Sequence, residues 1–121
     1  MVIAELDEPG SLGRVLVDGQ GRLERMVEAA DASGDQLRLR TVNAGLYALP
    51  APAVFSYLHR VRPNNAQGEI YLTEALNLAA ADGLAVRCLR LEDPSEAWGV
   101  NTPDDLARVE SELRQRGTGG S

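Results

Sequence analysis

The chain contains no lysine: all of its basic residues are arginine. That absence removes the usual Schiff-base nucleophile and the ammonium point charge that commonly holds a phosphate. One cysteine, Cys88, cannot form an intramolecular disulfide, and with His59 as the single histidine there is no basis for a Cys- or His-based zinc site. A reducing cytoplasm is the compartment this cysteine usage implies. The opening residues Met1 to Leu6 lack a basic n-region, and no apolar run approaches the length of a membrane span. With 12 basic against 18 acidic residues the net charge is −6, which argues against nucleic acid or an anionic membrane as a partner.

What is present fits one domain, since 121 residues with 44% hydrophobic content can surround a single core. Residues 2 to 6 read as a strand stopped by Asp7-Glu8-Pro9-Gly10. Leu12 to Val17 and Leu23 to Val27 read as a hairpin turning at Asp18-Gly19-Gln20-Gly21. Residues 29 to 36 read as a loop, and residues 37 to 49 as a strand in which Leu37, Leu39 and Thr41 alternate. Pro50 and Pro52 open a helix whose expected buried face is Val54, Phe55, Leu58 and Val61. A second helix carries Leu72, Ala75, Leu76 and Ala79 and stops near Asp82-Gly83. Residues 85 to 91 alternate as a strand. A last helix starts at Thr102-Pro103-Asp104-Asp105, with Thr102 as N-cap and Leu106, Val109 and Leu113 as its expected buried stripe. Residues 117 to 121 read as a flexible tail. The interleaving of strands and helices predicts an α/β or α+β class with a mixed sheet.

Three segments are out of place. Asn43-Ala44-Gly45 interrupts a hydrophobic strand, which fits either a β-bulge or a close approach by a ligand. Asn64 through Glu74 is dense in side-chain amides and runs straight into a helix. It serves either as a capped loop or as a set of donors and acceptors for sugar hydroxyls, with Tyr71 and Thr73 contributing. Asn101, after Gly99-Val100, is either a turn residue or an oxygen ligand for a hard cation. Trp98 is either a packing anchor or a sugar-stacking ring. Cys88 reads as a core residue and His59 as a surface or half-buried one.

Taken in order, Leu6-Asp7-Glu8-Pro9 with Leu12-Gly13-Arg14-Val15, Val27-Glu28-Ala29-Ala30-Asp31-Ala32, Val42-Asn43-Ala44-Gly45-Leu46, Asn64 through Glu74, and Gly99-Val100-Asn101-Thr102-Pro103 resemble the sugar nucleotidyltransferase family. The likeness is to its UDP-N-acetylglucosamine pyrophosphorylase branch, the uridyltransferase domain of a bifunctional bacterial enzyme. It spans residues 2 to about 116 and matches the C-terminal, sugar-binding half of that domain. The amide-rich stretch is its most specific element.

The resemblance implies a partial, Rossmann-like nucleotidyltransferase domain over residues 1 to 116. It also implies sugar-binding roles for Gly13, Glu28, Asn43, Tyr71 and Thr73. Asn101 would be a magnesium ligand that also borders the substrate, completed by an aspartate from the other half of the domain. The reaction so implied joins UTP and N-acetylglucosamine 1-phosphate with loss of pyrophosphate. Ala44 stands where the family usually has threonine, and Ala30 where it commonly has lysine. No glycine-rich phosphate loop occurs in this sequence, so the chain alone is expected to bind a sugar nucleotide or sugar 1-phosphate without catalysing its formation. The alternative is a non-catalytic module that dimerises or complements a separate N-terminal half.

Overall fold

A computed structural model describes residues 1–62 and 72–120, with side chains as far as Gly117. The architecture is α/β, built on one mixed sheet of five strands in the order β3-β2-β4-β1-β5 with helices flanking it. The strands are β1 (Val2–Glu5), β2 (Arg14–Val17), β3 (Leu23–Val27), β4 (Thr41–Asn43) and β5 (Leu89–Arg90). The β2–β3 pair is the expected hairpin, with Val15 opposite Met26. Its turn closes because the Asp18 carboxylate accepts the Gln20 and Arg22 N–H groups at 2.8 and 3.0 Å and Gly21 takes φ +78°. β4 lies antiparallel to both β1 and β2, whereas β5 runs parallel to β1. Successive residues of β1 face opposite sides of the sheet. Ile3 accordingly packs with Val15, Leu23, Met26 and Leu76, while Ala4 packs with Leu6 and Val42.

The helices are α1 (Gly34–Leu37), α2 (Ala51–Leu58), α3 (Leu72–Ala81) and α4 (Pro103–Gly120). Among the described residues none of them is long and apolar enough to cross a membrane. The segment expected to be a loop instead holds a 3-10 turn at Ala29–Asp31 and the short α1. A Ser33–Gln36 capping box explains the latter: Ser33 Oγ accepts the Gln36 N–H, and Gln36 Oε1 accepts the Ser33 N–H at 2.9 Å. Leu37 therefore ends a helix, and the strand expected from residue 37 begins only at Thr41.

Likewise most of residues 85 to 91 form no ladder with the sheet. The Leu23 N–H donates to Val86 O and the Cys88 N–H to Gly21 O, so the segment crosses the hairpin end before pairing with β1. Cys88 packs half-buried against the core, and burial pushes its thiol pKa up.

Two apolar stripes also differ from expectation. Phe55 is 60% exposed. On a helix it lies about 100° around from Val54, whereas Val54 and Leu58 share a half-buried face and Val61, just beyond the helix, is buried. On α4, Leu106 and Leu113 are exposed. That helix is instead held at the surface by two of its arginines: Arg108 stacks 3.6 Å from the Trp98 ring centroid, and Arg116 bonds the Asp93 carboxylate at 2.5 Å. α4 runs through the small-residue stretch 117 to 120. His59 caps the end of exposed α2, its N–H bonded to Phe55 O.

Candidate functional site

Gly13 precedes β2 at the point where the chain leaves the Pro9-Gly10 turn. A Cβ placed on Gly13 would lie 3.2 Å from Glu28 Oε2, so the absence of a side chain admits the carboxylate. Its carbonyl accepts the Asn43 N–H at 2.9 Å. The end of β3, the start of β2 and the end of β4 thus bring Glu28, Gly13 and Asn43 together. The Asn43 side chain is ordered at both ends: Oδ1 accepts the Gly45 N–H at 2.9 Å, and Nδ2 donates to the Tyr47 hydroxyl. Gly45 adopts φ +79°, so the interruption of the strand is a side-chain-stabilised turn that permits this closure. Burial raises the Tyr47 pKa; the nearby Glu28 charge adds to the rise, and the Asn43 hydrogen bond opposes it.

Glu28 also borders a cavity of about 350 Å³ walled by Arg25, Val27, Asp31, Gln36 and Glu74. Thr73, next to Glu74 on α3, is 6% exposed, and its Oγ1 has no hydrogen-bond partner among the described residues. The amide-rich residues 64 to 70 and Tyr71 lie outside the described residues. A side chain that sequence reasoning passed over sets the position of α3. Asn77 Oδ1 accepts the Met26 N–H and its Nδ2 donates to the Met26 carbonyl, both at 2.7 Å. The amide completes the outer edge of β3 as another strand's peptide would. An asparagine one turn beyond Thr73 was the only sequence signal for it. Arg14 was missed as well: only 3% exposed, it bonds the carbonyls of Gly10, Leu12 and Leu37 and ties the Gly10–Gly13 approach to α1.

Asn101 stands apart from these groups. It lines a smaller cavity of about 130 Å³ with Glu8, Gly10, Leu12 and Trp98. The Asn101 and Thr102 N–H groups donate to the Asp105 carboxylate at 3.0 and 3.1 Å, and the Asp105 N–H returns to Thr102 Oγ1. These bonds, the Asn101 N–H foremost, lower the Asp105 pKa. Asn101 therefore stands in the turn that leads into the capping box of α4, its backbone N–H held by Asp105. Magnesium requires near-octahedral oxygen ligation. Among the described residues no group of three or more acidic, histidine or cysteine side chains could hold a metal ion, so the donors described here do not fit a complete site. Trp98 packs beside the Ala4, Leu6 and Val42 cluster, and the Arg108 guanidinium covers one ring face.

No protein-family model matches the chain. Among curated proteins it is 42% identical over 116 residues to the bifunctional protein GlmU of Pelotomaculum thermopropionicum, covering 96% of this chain and 25% of that protein. It is 38% identical to GlmU of Stenotrophomonas maltophilia and 40% to that of Aromatoleum aromaticum, again over 96% of this chain and 26% and 25% of theirs. The chain thus spans about a quarter of the length of the relatives it matches. Over that quarter, in which Gly13, Glu28 and Asn43 meet at one place, the chain is similar to the GlmU proteins.

Proposed function

We propose that this chain is the sugar-nucleotide-binding portion of a nucleotidyltransferase that joins UTP and N-acetylglucosamine 1-phosphate with release of pyrophosphate, a step toward cell-wall precursors. The observation that carries the reading is the meeting of Gly13, Glu28 and Asn43 within a stretch similar to GlmU. Glu28 and Asn43 bond hydroxyls or the N-acetyl-bearing ring, Gly13 offers backbone, and Thr73 and Tyr71, the latter outside the described residues, add hydroxyls to the same ligand. The Thr73 hydroxyl, without a partner among the described residues, supports a polar ligand there, because a buried hydroxyl without a bond is costly. Asn101 borders the substrate and lends one amide oxygen to a magnesium ion whose other ligands come from outside the described residues. The work takes place in the cytoplasm. The chain alone is inactive, since its sequence has neither lysine nor a glycine-rich loop to hold UTP.

Isothermal titration is expected to show binding of UDP-N-acetylglucosamine, and no heat at millimolar ligand with magnesium would sink the pocket. Pyrophosphate release by this chain alone would overturn its inactivity. A second reading, a non-catalytic module that forms a homodimer or complements a separate N-terminal half, is favoured by the exposure of the edge strand β5, where Leu89 is 69% exposed. A monomer by light scattering, unchanged when an N-terminal half is added, would remove it.

A further inference from the structure

An asparagine side chain turns over a broad χ2 range unless something holds it. Asn43 is held from within the chain. Its backbone N–H is fixed on Gly13 O, its Oδ1 on the Gly45 N–H, and its Nδ2 on the Tyr47 hydroxyl. The hydroxyl is itself carried on a fixed support, for the Tyr47 ring packs half-buried against the core cluster of Ile3, Val15, Leu23, Met26 and Leu76. The phenol thus links the rigid centre of the sheet to the amide at its rim.

We propose that Tyr47 is a positioning residue that sets the rotamer of Asn43 for ligand contact. The proposal rests on the reading of Gly13, Glu28 and Asn43 as a sugar-binding group. A primary amide has two N–H donors and two carbonyl lone pairs. Gly45 and Tyr47 engage one of each, which leaves one donor and one acceptor in fixed directions. That pair suits a vicinal diol or an N-acetyl group, each of which presents a donor beside an acceptor. Burial, with the Glu28 charge, moves the Tyr47 pKa above its ordinary value, so the phenol stays protonated through the neutral range and the clamp does not titrate there.

The test compares the ¹⁵N-labelled chain with its Tyr47→Phe variant, which keeps the ring and its packing. In the wild-type chain one Asn43 Nδ2 proton is expected to exchange slowly and resonate away from its geminal partner. Tyr47→Phe is expected to return the separation of the two signals to that of a free asparagine amide and to speed their exchange while the backbone spectrum is preserved, and to weaken UDP-N-acetylglucosamine binding about three- to tenfold, as loss of one neutral hydrogen bond would. Unchanged Asn43 signals or unchanged affinity in Tyr47→Phe would overturn the positioning role. So would two fast-exchanging Nδ2 protons in the wild-type chain, a measurement that needs no variant. If the wild-type chain binds no sugar nucleotide, the sugar-site reading fails by itself, and the amide signals still decide whether Tyr47 holds Asn43.

Discussion

A methyl group at position 13 would meet Glu28 Oε2 at 3.2 Å, a contact that the carboxylate must relieve by moving a few tenths of an ångström. Gly13 has no positive φ to defend, so Gly13→Ala carries no backbone strain and its effect falls on Glu28. Hydrogen bonds to charged groups contribute roughly 1.5–3 kcal/mol. Gly13→Ala is therefore expected to weaken UDP-N-acetylglucosamine binding by about tenfold or more, with stability altered by under about 1 kcal/mol. Titration and thermal melting measured together check this, and a large loss of stability at unchanged affinity would refute it. At this scale the sequence was partly legible. Gly13, Glu28 and Asn43 stand out in the sequence because each is unusual for its place or matches the family pattern, and folding brings the three together. Tyr47 and Arg14 escaped because an aromatic near a helix and an arginine in a strand are ordinary. What they do depends on carbonyls and amides brought close only by folding.

Among the elements, α3 and β3 show how one side chain can set the placement of a helix. The Met26 N–H and C=O point away from β2 on the outermost strand, and Asn77 receives both. Without it these groups lose their partners beneath α3, at about 1–3 kcal/mol for each group left buried. Asn77→Ala is expected to destabilise the chain by about 2–3 kcal/mol, to remove hydrogen-exchange protection from the Met26 amide, and to weaken sugar binding, since Thr73 and Glu74 lie one turn away on the same helix. A Met26 amide that stays protected in the variant would show that the clamp is unimportant. Period and punctuation located most of the elements: hairpin, α3 and the capped start of α4 follow from Asp18-Gly19-Gln20-Gly21, Asp82-Gly83 and Thr102-Pro103. They misjudged α4's buried face, because a leucine stripe reads as core whatever is near it. Here Arg108 on Trp98 and Arg116 on Asp93 dock a neighbouring face that half-buried Val109 shares.

For the whole molecule the governing quantity is charge. The chain carries net charge −6, and the cavity beside Glu28 adds Asp31 and Glu74 against a single arginine, Arg25. An anionic diphosphate approaching this surface meets a repulsive field, while the neutral sugar ring does not. Screening shortens the reach of that field from about 30 Å at 0.01 M salt to about 10 Å at 0.1 M. The affinity of the chain for UDP-N-acetylglucosamine is therefore expected to rise a few-fold as salt is added across that range, the reverse of what an arginine-lined phosphate site would give. Free N-acetylglucosamine, lacking charge, is expected to bind with an affinity independent of salt. Calorimetric titrations of both ligands at the two ionic strengths test the argument. If nucleotide-sugar affinity falls with salt, arginines must be holding the diphosphate, and the assignment of this chain to the sugar side of the reaction would have to be abandoned.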